Sequence, residues 1–419
     1  MLSRDVGRMT SRINPLILLL SLLGPAWAAP VAQPARPVAE NAAPISFYVV
    51  KGPPGACGPG CDRWIAAEGK IDNAAAARFR KFVKQIGDVS LPIYLHSPGG
   101  NLEQALAIGN LLREKKFVAR VGRTMVQECG FEAQDGDACV KLKQSGRELH
   151  GEVWLRNAQC NSACPYLILG AVSREIAPET SLAVHSPHVI LNFTGGVPTR
   201  EMRTAALQQA MSRADRLVAD YLKRMGVDAG LLTVARSVRF EDMHVLTREE
   251  IARFGIDRRE QVETPWVFEN ANRSLIHKTV MRRKEGEQLF RTVQLRLICS
   301  DAGRFQLDYQ RPVPPAGLVS VALANEPGRL SFYFPPRRAA GQEAWALHVS
   351  KPQLDKLAAS GQFELSEGTL TNGQWQFQPV QFTSEGFAQA FDRLVATCPP
   401  GRPAVTPLAV RNVVVSPAK

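Results

Sequence analysis

The chain has 419 residues, 45% of them hydrophobic and 21% charged, which excludes wholesale disorder, collagen-like repeats and low-complexity scaffolds and provides for two or three domains. Its formal net charge of +12 suits anionic partners such as lipid headgroups or an anionic envelope component. No Lys/Arg run or RNA-binding signature concentrates that charge, so no nucleic-acid partner is expected.

Arg4, Arg8 and Arg12 precede the apolar run 16–23, and Ala26-Trp27-Ala28 follows it. A basic stretch, a short apolar stretch and a small-residue cleavage pattern, in that order, read as a signal peptide over 1–28. The run is too short to span a bilayer, which takes about 20 residues, and no later stretch is long enough, so no membrane span is expected in the mature chain. Residues 29–44, rich in Pro and Ala, read as a flexible leader. The expected location is outside the cytoplasm, periplasmic or extracellular. Eight cysteines, Cys57, Cys61, Cys129, Cys139, Cys160, Cys164, Cys299 and Cys398, agree, since an even count in an exported chain implies disulfides. A zinc site would want paired ligands from two segments. Only His185-Ser-Pro-His188 comes near that pattern and it lacks a second pair, so neither a metal nor a cofactor is expected.

Residues 45–261 read as an α/β domain. A strand is predicted at Phe47–Val50. Asp72 is placed to cap a helix in which Phe79, Phe82, Val83 and Ile86 share a face, stopped by Gly87. A strand over Val89–His96, a helix over Asn101–Lys115 and a strand over Phe117–Val121 follow. This alternation argues for a layered core with parallel pairing. The pattern lapses over about 122–151, which reads as an insertion pinned by its own disulfide. Leu155–Gln159 then leads to a turn, an apolar helix over about Ser162–Gly170 and a strand ending at His185. A long helix runs from Thr199 to Met225 with Leu207, Met211, Ala214, Val218, Tyr221 and Met225 at helical spacing. Thr247 caps a short helix ending at Gly255.

After Gln261 the period changes to two. Val293–Cys299, Phe305–Tyr309, Val319–Leu323, Leu330–Phe334 and Trp345–Val349 alternate as half-buried strands do. A helix over Ser384–Thr397 closes this β-rich domain, 262–398, before a coil tail over 399–419. Cys299 and Cys398 are its only cysteines and are expected to pair.

Three short segments carry chemistry. Leu95-His96-Ser97-Pro98-Gly99-Gly100 is a strand entering a Gly-Gly turn and a helix, where main-chain N–H groups can approach a ligand closely. Cys160-Asn161-Ser162-Ala163-Cys164-Pro165 puts a serine at a helix start, as a cap or as a nucleophile whose oxyanion would rest on the Ala163 amide. Ala183-Val184-His185-Ser186-Pro187 puts a histidine at a strand end. In that order the three resemble the Clp protease proteolytic subunit and, more broadly, the Clp/crotonase superfamily, over roughly Phe47 to Asp257. That family has an Asn- or Asp-Ser-Pro-Gly-Gly turn, a serine starting a helix and a strand ending His-Gln-Pro. Here His96 occupies the first position of the turn and Ser186 the position after the histidine.

The resemblance implies an α/β fold of layered, repeated ββα units with an extra C-terminal β domain. It implies Ser162 as nucleophile, His185 as general base, and Gly99 or Gly100 with Ala163 as oxyanion-hole donors. The family's triad aspartate falls in register on Met243. Asp242 lies one residue away and Glu241 two, and Asp242 is the assigned carboxylate. A Ser-Lys dyad, used elsewhere in the superfamily, is disfavoured because no lysine occurs between Lys143 and Lys223. The function implied is an exported serine hydrolase, a peptidase acting on a peptide or protein, in a family whose members often assemble as homo-oligomers. The alternative is a catalytically inactive scaffold of the cell envelope. The disulfide connectivity of the first domain is left open.

Overall fold

A computed structural model describes residues 42–398, except 88–89, 195, 271–273, 284–285, 287, 302–303, 314–318, 325–329, 333–335 and 360. The predicted signal peptide, most of the leader, the tail and parts of the predicted strands at Val89 and Phe334 lie outside the described residues.

The first part alternates strands and helices. β1 (Ser46–Lys51), β2 (Arg63–Glu68), α1 (Ala75–Ile86), β3 (Ile93–His96), α2 (Leu102–Glu114) and β4 (Val118–Val121) open the chain. β5 (Arg123–Val126), α3 (Asp137–Lys143), β6 (Leu149–Trp154), β7 (Gln159–Asn161), α4 (Cys164–Ile168), β8 (Ser173–Glu175) and β9 (Ser181–Val184) follow. α5 (Arg200–Met225), α6 (Gly230–Ser237), β10 (His244–Val245) and α7 (Arg248–Arg253) complete it. The main sheet has the order β5-β6-β1-β2-β3-β4-β8, with parallel pairing from β2 through β8. α1 and α2 lay Ala75, Phe79, Ile108 and Leu112 against Ile65, Leu95 and Ala119 of the sheet.

Several local expectations change. The pattern that lapses over residues 122–151 conceals regular elements: β5 and β6 extend the main sheet, with Thr124 and Val126 alternating inward. Its disulfide, Cys129–Cys139, forms as expected. Asp72 does not cap α1 at its first turn; its Oδ1 accepts from the Ala74 amide just before the helix. The predicted helix from Ser162 shortens to Cys164–Ile168. In α5 only Val218, Tyr221, Leu222 and Met225 are buried, and Leu207 is exposed.

The second part is antiparallel. β11 (Gln261–Glu263), β12 (Val267–Asn270), β13 (Ser274–Arg283), β14 (Phe290–Asp301), β15 (Arg304–Pro312), β16 (Val319–Ala324), β17 (Leu330–Phe332), β18 (Arg337–Ala339) and β19 (Gln342–Ser350) lead to α8 (Lys351–Ala359). β20 (Gln362–Thr371), β21 (Gln374–Thr383) and α9 (Phe387–Ala396) end it. Two sheets result, β11-β13-β14-β15-β19-β18 with β12 beside β13, and β17-β16-β20-β21. α9 places Phe387, Phe391 and Leu394 in a core with Trp266, Phe305 and Phe363. Cys299 pairs with Cys398 at the end of that helix, as expected.

Candidate active site

Strand register assembles the site. β7 runs parallel to β9 with Asn161 opposite Ala183, so Ser162 and His185 emerge at the same end of a small sheet, β10-β9-β7. The Ser162 amide donates to Ala183 O at 2.9 Å. The chain after β3 pairs with β7: the Ser97 amide donates to Gln159 O at 2.8 Å, and Asn161 N donates to Ser97 O at 3.0 Å. Gly99 is thereby pressed against the serine. A Cβ built on Gly99, whose φ is +100, would lie 2.6 Å from Ser162 Cβ and 2.5 Å from Asn161 O, so only glycine fits.

Ser162 has a φ of +60, a left-handed conformation that is strained for a residue with a Cβ. The disulfide Cys160–Cys164 spans it, with both cysteines fully buried. Ser162 Oγ lies 2.6 Å from His185 Nε2. His185 Nδ1 lies 2.6 Å from the carbonyl oxygen of Phe240. A carbonyl only accepts, so Nδ1 carries the proton and Nε2 presents its lone pair to the serine hydroxyl. The Phe240 ring also stacks on the imidazole at 4.9 Å. Burial pushes the His185 pKa below 6.5, while the Phe240 carbonyl and the charge of Glu241 pull the other way.

The structure brings together Ser162, His185, Gly99 and Ala163. It does not bring Asp242 to His185. The Asp242 carboxylate takes Arg239 Nε at 2.8 Å, in an exposed turn closed by its own amide to Arg239 O. Met243, the family's register position, is followed at once by β10, which pairs His244 with Val184 and so directs the Phe240 carbonyl, rather than a side chain, at the imidazole. Of the proposed oxyanion donors, the Gly99 amide is taken by Ser97 Oγ at 3.1 Å, and that hydroxyl donates to Gly69 O at 2.6 Å. Among the described residues the amides of Gly100 and Ala163 meet no acceptor. His96 accepts from the Gln159 amide at 3.1 Å through Nδ1, and burial pushes its pKa down to about 4. It thus pins β3 to β7 as a neutral acceptor.

Phe240 and Ser97 are the residues that sequence reasoning missed. A carbonyl leaves no side-chain signature, so only the fold could reveal Phe240. Ser97 stood in the quoted turn, and its role as a brace needed the position of Gly69. The remaining disulfide is local, Cys57–Cys61. Four disulfides among the described residues fit an oxidising, non-cytoplasmic compartment. No helix among the described residues is long and apolar enough to cross a membrane.

No family model matches the chain, and no curated protein does. Among solved structures, the chain is similar to invasion associated protein B from Bartonella henselae, at 17% identity over 31% of this chain and 92% of that one, with a TM-score of 0.25. It is also similar to a variant of a membrane-bound stomatin-specific protease, at 16% identity over 50% of this chain and 76% of that one, with a TM-score of 0.26. A second variant of that protease, in complex with a substrate peptide, gives 16% identity over 50% and 74%, with a TM-score of 0.25. Likeness this loose leaves the chemistry to be read from the site itself.

Proposed function

We propose that the protein is an exported serine hydrolase, a peptidase of Clp/crotonase-like layering, in which Ser162 and His185 act as nucleophile and base. The observation that carries this reading is the 2.6 Å contact from Ser162 Oγ to His185 Nε2, made by an imidazole whose tautomer is fixed from behind. A serine hydroxyl is a poor nucleophile until a base takes its proton. In the proposed reaction, His185 Nε2 accepts the Ser162 proton as Oγ bonds to the acyl carbon. The oxyanion that forms accepts from the Gly100 and Ala163 amides, a donor of this kind contributing about 3–4 kcal/mol. Nε2–H then protonates the leaving amine, whose bond to carbon breaks. Water, activated by the same nitrogen, hydrolyses the acyl-serine ester. The Phe240 carbonyl holds Nδ1–H throughout, and Glu241 adds negative potential beside the imidazolium.

The full-length protein treated with a fluorophosphonate probe tests this. Ser162 is expected to carry the adduct, Ser162→Ala to carry none, and His185→Ala to react at least 100-fold more slowly. Folded wild-type protein that takes up no probe would defeat the proposal. One observation favours the alternative of an inactive scaffold: Asp242 faces Arg239, and among the described residues no carboxylate stands at Nδ1. That reading predicts no labelling and no effect of Ser162→Ala in cells that need the protein.

A further inference from the structure

Away from the serine, two helices end side by side. α5 closes on Gly226 and α7 on Gly255, with φ of +67 and +68 at the two glycines. Three guanidiniums gather at these ends. Arg113 Nη2 donates to Met225 O at 3.2 Å, Arg174 donates to Met225 O and Gly255 O at 3.3 Å each, and Arg258 Nη2 donates to Gly226 O at 3.4 Å. A helix C-terminus carries roughly half a negative charge, so the two ends offset about one of the three cations. Among the described residues none of the three has a carboxylate within ion-pair distance. Their crowding is felt at Arg174, where burial, Arg113 and Arg258 push the pKa down to about 10.

A cleft of about 470 Å³ opens beside this cluster, walled by the ends of α5 and α7 and by β13. Arg253, Arg258 and Arg283 line it. Arg283 is held by Glu260 at 2.6 Å, and Arg253 stands 3.8 Å from Glu250 with most of its side chain exposed. Among the described residues Asp228 is the carboxylate of the lining, and its Oδ1 accepts from the Gly230 amide at 2.7 Å. Arg258 is thus the lining cation that no carboxylate among the described residues holds, with Arg113 and Arg174 behind it, and these three cations come from different elements. That arrangement suits a tetrahedral dianion better than a planar monoanion, and guanidinium matches phosphate oxygens two at a time. The volume leaves room for a substituent beyond the phosphate.

We infer that this cleft binds a phosphate monoester, either a small soluble one or the headgroup of a lipid, with Arg258 as its principal contact. The test is a titration of the full-length protein with glycerol 3-phosphate, followed by thermal unfolding and ³¹P NMR against chloride at matched ionic strength. Saturable binding is expected, weakened at least tenfold in Arg258→Gln. Asp228→Asn is expected to tighten it, a gain that a folding defect would not produce. Vesicles of phosphatidylcholine containing phosphatidic acid separate the sources: binding lost in Arg258→Glu assigns a lipid headgroup, whereas glycerol 3-phosphate binding without vesicle binding assigns a soluble ester. Glycerol 3-phosphate that stabilises no more than chloride does would overturn the inference. So would equal affinity in wild type and a folded Arg258→Gln.

Discussion

At the scale of residues, the imidazole of His185 has a backbone carbonyl where a full triad places a carboxylate. The carbonyl fixes the tautomer but brings no full charge to stabilise the imidazolium. Glu241 is the carboxylate whose charge acts on the ring, and Asp242 is tied to Arg239. Labelling of Ser162 should therefore rise with pH through a midpoint below 6.5, because burial favours the neutral base. Glu241→Gln should move that midpoint lower and slow the plateau rate, while Asp242→Asn should leave both unchanged. A midpoint shift in Asp242→Asn of the size expected for Glu241→Gln would assign the carboxylate role differently. Ser162 and His185 were legible in the sequence because a serine at a helix entrance and a histidine at a strand end are side-chain signals at recognisable boundaries. The partner of Nδ1 was not, since every residue carries a carbonyl.

At the scale of elements, a short covalent loop and the strand register hold the serine in place. Cys160 and Cys164 are four residues apart and bracket a serine in a conformation costing roughly 1–2 kcal/mol. Closing so short a loop contributes about 2 kcal/mol in the chain-entropy model, comparable with that strain. The Cys160→Ala/Cys164→Ala variant should stay folded, melt a few degrees lower and label at Ser162 about tenfold more slowly. An unchanged rate would show that the strand register alone holds the serine. The pair Cys299–Cys398 closes a loop of 99 residues. Its removal should cost about 5 kcal/mol, and hydrogen exchange should then find α9 unprotected. Period-two patterns made β14, β15, β16, β17 and β19 readable in the β-rich part, whereas β13, β20 and β21 went unread there; in the first part β2 escaped because Trp64, Ile65, Ala66, Ala67 and Glu68 are all buried, so no alternation marks the strand. The strands within 122–151 went unread for a related reason, since a four-residue strand such as β5 gives too short a pattern to separate from a loop.

Across the molecule, buried polar groups join parts distant in sequence. Lys143 Nζ meets Glu68 Oε2 at 2.6 Å with both side chains almost fully covered, and Tyr48 donates to the same oxygen at 2.7 Å. This ties α3 to β2. Breaking one partner of a buried pair leaves the other charge unpaired, so Lys143→Met should destabilise by about 3–5 kcal/mol, read by urea unfolding. Glu179, just before β9, accepts from Thr279 Oγ1 at 2.6 Å and so links the strand that carries His185 to β13. His96 makes the fold sensitive to acid. Its pKa is about 4 in the folded protein against 6.5 for the free side chain, so the unfolded chain binds more protons between those values. Stability from this group is fully present above pH 6.5 and is lost as pH falls to about 4. The loss should be about 3 kcal/mol and should be absent in His96→Asn measured in parallel. Equal acid sensitivity in the two proteins would place the titrating group elsewhere.

The most direct test of the Ser162–His185 pairing is the rate of fluorophosphonate inactivation as a function of pH, with the adduct located by peptide mass spectrometry. The pairing predicts a single adduct on Ser162, forming along one titration curve centred below pH 6.5. An adduct on another residue, or a rate that follows pH with no midpoint in that range, would contradict it.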